Sequence, residues 1–279
     1  MTTATSTTAR RALGVLLAAA LATLAFTGGC ASYVTPGAKA DFRALGITPE
    51  QAEAMTDTSI AARLSRRPAA SFPAAIASVR VQAADYRSYS YDRAGGGSTG
   101  TGELCHIVTV REVETAEQFE RLSKMPMVAG VAPVNRLMAP TRVGSEKDLR
   151  MMAAGVQADM LLIYTLDTTF GSETVVPVLG TITLGLFPAK EARVTSTASA
   201  ALVDTRTGYI YALAEGTAKT EQLANAWTTG EAVDQSRRRA EAEAFDKLVG
   251  ELETAWKGVV ARYVGEGVTP SAHKLPHEG

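Results

Sequence analysis

The stretch that decides the fold is ADMLLIYTLDT, residues 158–168. It is almost continuously apolar over seven residues, between Asp159 and Asp167. A strand with one solvated face alternates apolar and polar residues, whereas a strand covered on both faces is apolar throughout. The stretch therefore predicts a strand at the centre of an α/β sheet.

Three further strand-like segments precede it. AAIASVRVQ (74–82) and the alternating residues 103–113 predict two strands. Residues 127–134 are a third candidate, interrupted by Gly130 and Pro133. Because proline cannot donate to the ladder of a sheet, we expect this segment to be an edge strand or a loop.

A long β-hairpin follows the central stretch. Residues 191–220 alternate as a strand, turn at 204–208, and alternate again. The turn places Gly208 at a position that requires a positive φ. Before the hairpin, residues 174–190 carry almost no charge. This segment is interpreted as a buried strand pair, a subunit interface or a membrane-inserted segment, and the sequence leaves the three open.

Two capped helices lie between these strands. Thr115 with Gln118, and Ser145 with Asp148, have the spacing of a capping box, which predicts a helix start at each position. Gly155 is expected to stop the second helix. Helices thus alternate with strands, as an α/β fold requires.

The C-terminal part predicts a long helix. Thr228 and Glu231 form a third capping-box pair, and apolar residues follow at helical spacing as far as Tyr263. About 32 residues at 1.5 Å each give a helix of roughly 48 Å. We expect it to lie along one face of the sheet, with its arginine and glutamate side chains in solvent.

The N-terminus has the composition of a secretory leader. Arg10 and Arg11 precede an apolar run at 12–26, and Gly28 and Gly29 follow that run. A basic region, an apolar run of roughly 15 residues and a small-residue site are typical of a signal peptide. Because a membrane span needs about 20 residues, a transmembrane anchor or a buried helix is the less favoured alternative.

The end of this leader resembles a bacterial lipoprotein signal. Gly28 and Gly29 precede Cys30 as the family pattern requires, although Thr27 stands where the family prefers leucine. The resemblance implies that Cys30 is lipidated with a diacylglyceryl thioether and an amide-linked acyl chain such as palmitate, which together anchor a protein stably. Ala31, in place of the aspartate that retains enteric lipoproteins in the inner membrane, favours the outer membrane.

These segments divide the chain into four parts. We predict a lipoprotein signal peptide at 1–29, a lipid-anchored tether with short helices at 30–70, an α/β domain at 71–264 and a disordered tail at 265–279. The fold class is α/β, with a mixed sheet in a single three-layer domain that ends in a long helix.

The α/β body resembles a group of periplasm-facing lipoproteins that includes the curli-secretion pore lipoprotein and the lipoprotein activators of penicillin-binding proteins. In that group a helix leads into a strand that begins Ala-Asp, here Ala158 and Asp159. A later strand carries a Val-Asp-x-x-Thr-Gly turn, here residues 203–208. The resemblance implies a fold and does not imply an active site.

Composition restricts the class of partner. The hydrophobic content of 46% and the charged content of 20% indicate a folded chain and not a disordered one. The formal net charge is −1, and the one basic block is Arg237 to Arg239. Nucleic acid is therefore not an expected partner.

Catalytic chemistry has few candidates in this sequence. Cys105 lies in a strand-like segment, where a lone cysteine is usually a small buried hydrophobe, and the adjacent His106 would point to the opposite face. His273 and His277 are in the polar tail. The glycine-rich residues 95–102 precede a strand, whereas a phosphate site needs a helix. We expect no enzyme activity, no cofactor and no metal site.

Together these features predict a lipid-anchored envelope protein on the periplasmic face of the outer membrane, acting as a non-catalytic binding or accessory module. Its membrane contact is the anchor at Cys30, and its partner is a periplasmic protein or the cell wall. One alternative is a self-assembling secretion or pore component, a homo-oligomer that uses residues 174–190. A less favoured alternative is an envelope enzyme.

Overall fold

The structure is a computed structural model, and it describes residues 39–40, 57–83, 86, 105–139, 143–174, 190–224 and 230–264. The chain divides into two compact units, residues 1–34 and 35–279, and every described residue belongs to the second. The following predictions lie outside the described residues: the leader with Cys30, the glycine-rich loop at 95–102, residues 175–189, the cap at Thr228 and the tail from 265.

Helices and strands alternate along the described chain. In order they are α1 (Asp57–Leu64), β1 (Ala74–Ala83), β2 (Cys105–Val108), α2 (Ala116–Ser123), β3 (Val128–Pro133), α3 (Glu146–Gly155), β4 (Met160–Thr174), β5 (Lys190–Asp204), β6 (Ile210–Ala224) and α4 (Gly230–Tyr263).

The strands form one mixed sheet in the order β2-β1-β4-β5-β6, and β3 pairs with β1 beside β2. β1 runs parallel to β3 and β4, whereas β4, β5 and β6 pair antiparallel. The predicted central strand is β4, which lies between β1 and β5 as expected. The interrupted segment at 127–134 is an edge strand, also as expected.

Both faces of β4 are covered, which explains its unbroken apolar sequence. Leu162 and Tyr164 point to the face that α2 and α4 cover, where they pack with Phe245. Leu161 and Ile163 point to the opposite face, where residues of α3 cover them. The described chain is therefore a three-layer α/β domain with a C-terminal helix, and the predicted fold class is confirmed.

Local signals in the sequence placed the turn and two helix starts correctly. Gly208 has a φ of +70° in the turn between β5 and β6. The Thr115 amide donates to Gln118 Oε1 at 2.8 Å, closing the first predicted capping box. Asp148 accepts from the Ser145 amide at 2.9 Å, and α3 ends at Gly155 as predicted.

Two expectations about the helices and strands were wrong. The strand predicted at 103–113 is only Cys105–Val108, because the chain then bends and turns two acidic side chains, Glu112 and Glu114, toward arginines in the interior. The arginine and glutamate side chains of α4 are not all in solvent, since Arg237 and Glu241 are buried.

Residues 39–40, which precede the domain, contact the sheet. Lys39 forms a bridge with Gln82 at the end of β1, and the Ala40 amide donates to Thr165 Oγ1 at 3.0 Å. Lys39 Nζ lies 3.5 Å from a carboxylate oxygen of Asp167. Ala40 is buried. Among the described helices, none is both long enough and apolar enough to cross a bilayer.

Candidate functional site

A cluster of buried charges lies under the N-terminal half of α4, and Arg237 is at its centre. Arg237 Nε donates to Asp234 Oδ1 at 3.0 Å, Nη1 donates to Glu241 Oε2 at 2.6 Å, and Nη2 donates to Glu112 Oε2 at 2.8 Å. The Arg237 side chain has no exposed surface. One guanidinium thus holds three carboxylates inside the domain.

A second buried arginine, Arg80 of β1, extends the cluster toward the sheet. Arg80 Nη1 lies 3.5 Å from Glu114 Oε1, and Nη2 lies 3.7 Å from Glu241 Oε2. Nη2 also donates to the Tyr86 hydroxyl at 3.1 Å, while the Tyr164 hydroxyl donates to Glu114 Oε1 at 3.0 Å. Glu241 is therefore shared by both arginines.

The cluster reaches β4 and β5 through hydroxyl groups. Thr168 Oγ1 donates to Glu241 Oε1 at 2.9 Å and lies 3.0 Å from Ser196 Oγ. The buried charges therefore join α4 to three strands and to the chain on either side of β2.

Burial and neighbouring charges fix the protonation of the buried cluster. Burial alone would lower the pKa of Arg80 and of Arg237, but Tyr86, Glu241 and the other acidic neighbours outweigh it and raise both. Burial raises the pKa of the Tyr164 phenol well above its usual value, and the charge on Glu114 raises it further. Both guanidinium groups are thus charged at neutral pH, and Tyr164 keeps the proton that it donates to Glu114.

The buried cluster can hold α4 against the sheet. Its charged groups have almost no exposed surface, which does not favour chemistry on a substrate. Removing one partner of a buried ion pair leaves an unpaired charge in a medium of low dielectric constant, which is costly. Sequence reasoning missed this cluster because it treated Arg237 to Arg239 as a surface block. The spacing of Asp234, Arg237 and Glu241, at three and four residues along one helix face, was the available signal.

The residues that the sequence offered for catalysis are not brought together. Cys105 is 1% exposed, and no surface of the domain presents its thiol. The two aspartates that flank the apolar stretch of β4 also have separate partners: Asp159 accepts from the Ala75 amide, and Asp167 lies beside Lys39. Within the described residues, no group of three His, Cys, Asp or Glu side chains is arranged to hold a metal ion.

A second polar assembly lies at the turn between β5 and β6. Asp204 accepts from the Ala69 amide at 2.6 Å and from the Tyr211 hydroxyl at 2.8 Å, and also from the amides of Arg206 and Thr207. Burial alone would raise the pKa of Asp204, but these hydrogen bonds lower it. The turn at 204–208 therefore folds around one buried carboxylate.

Asp159 joins the same assembly from the start of β4. Its Oδ1 atom lies 3.1 Å from Arg206 Nη1, and its carbonyl accepts from the Thr205 amide at 3.0 Å. The two sequence motifs that carried the resemblance of the body, at 158–159 and 203–208, therefore meet at one corner of the sheet. Their role there is to fix the turn against the central strand.

Arginines from other elements surround this turn. Arg66 Nη1 donates to the Gly208 carbonyl at 2.9 Å. Arg150 Nη1 donates to the carbonyls of Thr205 and Arg206 at 3.2 and 3.1 Å, while its Nε atom binds Glu146 at 2.7 Å. The turn is thus held from both sides by guanidinium groups.

Three tyrosines pack edge to face beside the turn. The Tyr209 and Tyr263 hydroxyls lie 2.8 Å apart, and both rings contact Tyr211. The hydrogen bond to Tyr263 raises the pKa of Tyr209. This packing ties the end of α4 to the start of β6.

An apolar cleft lies between the sheet, α2 and α4. Leu122, Leu162 and Trp256 are among its lining residues, all of which are apolar. Trp256 Nε1 donates to the Pro126 carbonyl at 2.7 Å, so the one indole N–H is already satisfied. Because these lining side chains also belong to the hydrophobic core between the sheet and the helices, the cleft is continuous with that core.

Comparison with known proteins gives distant structural matches only. No protein-family model matches the chain, and no curated protein matches it. A Helicobacter pylori protein described as a homolog of a neuraminyllactose-binding hemagglutinin is 10% identical, with a TM-score of 0.36, and the match covers 72% of this chain and 94% of that one.

Two further solved structures are similar at the same level. A lipoprotein from Neisseria meningitidis is 13% identical, with a TM-score of 0.27, over 68% of this chain and 99% of that one. The PelC dodecamer from Paraburkholderia phytofirmans is 11% identical, with a TM-score of 0.24, over 66% of this chain and 92% of that one. TM-scores below 0.5 add no argument about the function of this chain.

Proposed function

We propose that this chain is a bacterial lipoprotein whose α/β body is a non-catalytic binding or accessory module on the periplasmic face of the outer membrane. The observation that carries the proposal is the sequence Gly28-Gly29-Cys30 after an apolar run that two arginines precede. Lipidated cysteine supplies the membrane attachment, since more than one acyl chain gives stable anchoring.

The contacts within the body support a role without catalysis. Its buried arginines and carboxylates are engaged with one another, and the Cys105 thiol is enclosed. A catalytic acid, base or nucleophile must reach a substrate. The buried groups Arg80, Arg237 and Tyr164, whose pKa values are raised, instead bind other residues of the domain and connect its elements.

The contacts of residues 39–40 with the sheet support a domain that stays near its lipid anchor. Lys39 and Ala40 contact Asp167 and Thr165 of β4. Lys39 lies nine positions after Cys30, and an extended chain spans at most about 3.6 Å per residue. We infer that Lys39 lies within roughly 32 Å of the bilayer that holds the acyl chains.

A Cys30→Ala variant tests the anchor directly. Without the thiol, neither thioether formation nor the following cleavage can occur, so we expect a precursor that retains residues 1–29 and takes up no labelled palmitate. Cys105→Ala is the matched control, because it removes the other cysteine and should leave maturation unchanged. Normal maturation of Cys30→Ala would refute the proposal.

The choice of membrane rests on Ala31. We expect the wild-type protein to sediment with the outer membrane, and Ala31→Asp to move it toward the inner-membrane fraction in an enteric host. Wild-type protein found in the inner-membrane fraction would contradict the outer-membrane assignment while leaving lipidation intact.

The alternative of a self-assembling pore depends on residues 174–190. Of these, the structure describes Thr174 and Lys190, which pair with each other at the ends of β4 and β5. Native mass measurement of the full-length mature protein in detergent decides between the two functions. A monomer or dimer supports the accessory module, whereas a closed ring of many copies supports the pore.

A further inference from the structure

Five arginines that are scattered from position 66 to position 262 either contact the turn between β5 and β6 or adjoin in sequence a residue that contacts it or packs beside it. We name this set the arginine corner, and its members are Arg66, Arg67, Arg150, Arg206 and Arg262. Guanidinium groups of two members bind carbonyls of the turn at Arg206 and Gly208. Arg262 adjoins Tyr263, whose hydroxyl meets that of Tyr209 directly after the turn.

The acidic residues at this corner are covered, whereas several of its arginines are not. The side chains of Glu146 and Asp159 are 8% and 15% exposed, and Asp204 is buried. Arg206 keeps 55% of its side chain exposed, and Arg67 is exposed as well. The corner therefore presents positive charge on a chain whose formal net charge is −1.

The guanidinium groups of Arg66 and Arg67 have donors to spare. Within the described part of the chain, both bind only carbonyl oxygens, those of Gly208, Leu64 and Arg66. A guanidinium carries five N–H donors, so most of them remain available to an external acceptor. Phosphate oxygens suit this geometry, because arginine binds them in a bidentate manner.

Large apolar side chains are exposed beside these arginines. Ile60 is 43% exposed and Leu64 is 73% exposed on α1, and the two lie one turn apart on the same helix face. Arg66 and Arg67 follow Leu64 within three residues. Exposed apolar residues next to basic ones are the composition of a helix that lies in a membrane interface.

We propose that α1 and the arginine corner form a surface that docks onto a bilayer of anionic phospholipid. The guanidinium groups bind headgroup phosphates, Ile60 and Leu64 enter the boundary of the acyl chains, and the Tyr209–Tyr263 pair lies at headgroup depth, where tyrosine is enriched. A soluble phosphate would use the arginines and leave the apolar pair without a role.

This proposal rests on the proposed function, in which the acyl chains keep the body near the bilayer. The arginine corner then determines which face of the body contacts the bilayer. Acylation supplies affinity, whereas contacts on the folded domain supply orientation. This orientation directs the far end of the sheet away from the headgroups.

The test uses the mature chain with Cys30→Ser, which carries no acyl chains. Binding to vesicles is then measured independently of lipidation, so the two proposals can fail separately. Co-sedimentation is measured with vesicles of phosphatidylglycerol and phosphatidylethanolamine, and with vesicles of phosphatidylcholine alone. We expect binding to the anionic vesicles only, weakened at high salt. Arg66→Gln with Arg67→Gln should weaken it about 30-fold, at roughly 1 kcal/mol for each arginine.

The matched control removes two charges from the far end of the sheet. The control variant is Lys219→Gln with Lys247→Gln. Lys219 is on β6, and Lys247 Nζ binds the carbonyl of Thr217 on the same strand. Both positions are therefore at least eight residues along the strand from Tyr209, which is about 26 Å. This control should bind the anionic vesicles as the parent chain does. A second variant, Leu64→Ser alone, keeps both arginines and the Arg66 contact to the turn. We expect it to weaken binding to the anionic vesicles, and thermal unfolding of each variant checks that it folds.

Three results would overturn the proposal. The first is equal binding to neutral and anionic vesicles. The second is that the control variant weakens binding as much as Arg66→Gln with Arg67→Gln does. The third is that glycerol phosphate displaces the protein from the vesicles while Leu64→Ser leaves binding unchanged. The last result would assign the corner to a soluble phosphate ligand and not to a bilayer.

Discussion

Asp204 shows how much a single carboxylate can do in this fold. It accepts hydrogen bonds from Ala69, Tyr211 and the backbone of its own turn, and so joins the chain before β1 to the hairpin. The motif was visible in the sequence because a turn is a local structure. Its partner at position 69 was not visible, since 135 residues separate the two.

The pH dependence of stability follows from this residue. Because the pKa of Asp204 is lower in the folded chain, the unfolded state binds more protons as the pH falls, and stability is lost in acid. Asp204→Asn should therefore unfold more easily at pH 7 and show a shallower dependence of the free energy of unfolding between about pH 5 and pH 2. Denaturant titrations at several pH values measure this.

The exposed Glu251→Gln substitution on α4 is the control for Asp204→Asn and should keep the wild-type slope. If Asp204→Asn keeps that slope too, the hydrogen bonds to Asp204 do not stabilise its charged form.

Arg237 and Arg239 lie two positions apart on α4, the first buried and the second exposed, and a pair of substitutions compares them. Arg237→Gln leaves Asp234, Glu241 and Glu112 without their shared cation, so we expect a loss of about 3–5 kcal/mol in the free energy of unfolding. Arg239→Gln, which breaks no ion pair among the described residues, should change it by less than about 0.5 kcal/mol. Similar effects of the two substitutions would show that the buried cluster does not hold the layers together.

At the scale of elements, the packing of α4 on β6 depends on a glycine. A Cβ atom on Gly216 would lie 2.6 Å from the Ala244 carbonyl oxygen and would also collide with the Leu248 amide nitrogen. These neighbours are backbone atoms and cannot rotate away. Gly216 therefore lets the helix approach the edge strand closely.

Two glycine-to-alanine substitutions should act in opposite directions. Gly216→Ala pushes α4 from the sheet, and we expect it to destabilise the domain by about 1–3 kcal/mol. Gly250→Ala, on the same helix with no atom within 4 Å of its Cβ position, should stabilise by up to about 1 kcal/mol through helix propensity. Chemical denaturation compares them, and a Gly216→Ala variant as stable as the wild type would argue against the close approach at Gly216.

The elements that could be predicted are those with signals inside one segment. The apolar run of β4, the capping box at Thr115 and the glycine of the 204–208 turn all place structure from neighbouring residues. β2 was predicted too long because Glu112 and Glu114 leave the strand to reach arginines that the sequence pattern could not associate with them.

At the scale of the whole molecule, the basic surface and the basic sequence block are in different places. Arg237, in the block at 237–239, is buried among carboxylates. The exposed positive charge comes from residues such as Arg67 and Arg206, which no window of the sequence brings together. The positions of basic residues in the sequence therefore did not predict where positive charge lies on the surface. The fold brings arginines from distant segments to one corner of the sheet.

The anchor and the body are two parts of one account. In the proposed function the leader directs the protein to the bacterial envelope, and the contacts of Lys39 and Ala40 with the sheet keep the domain near the anchor. The proposed role of the arginine corner is to give that domain a preferred face, so we expect a periplasmic partner to bind the surfaces that point away from the bilayer.

Intact-mass and N-terminal fragment analysis of the protein purified from native membranes is the most direct test. Our account predicts a chain that begins at Cys30, blocked at its amino group, and heavier than the polypeptide by a diacylglyceryl group and one acyl chain. A chain that begins at any other residue, or one without added lipid, would contradict it.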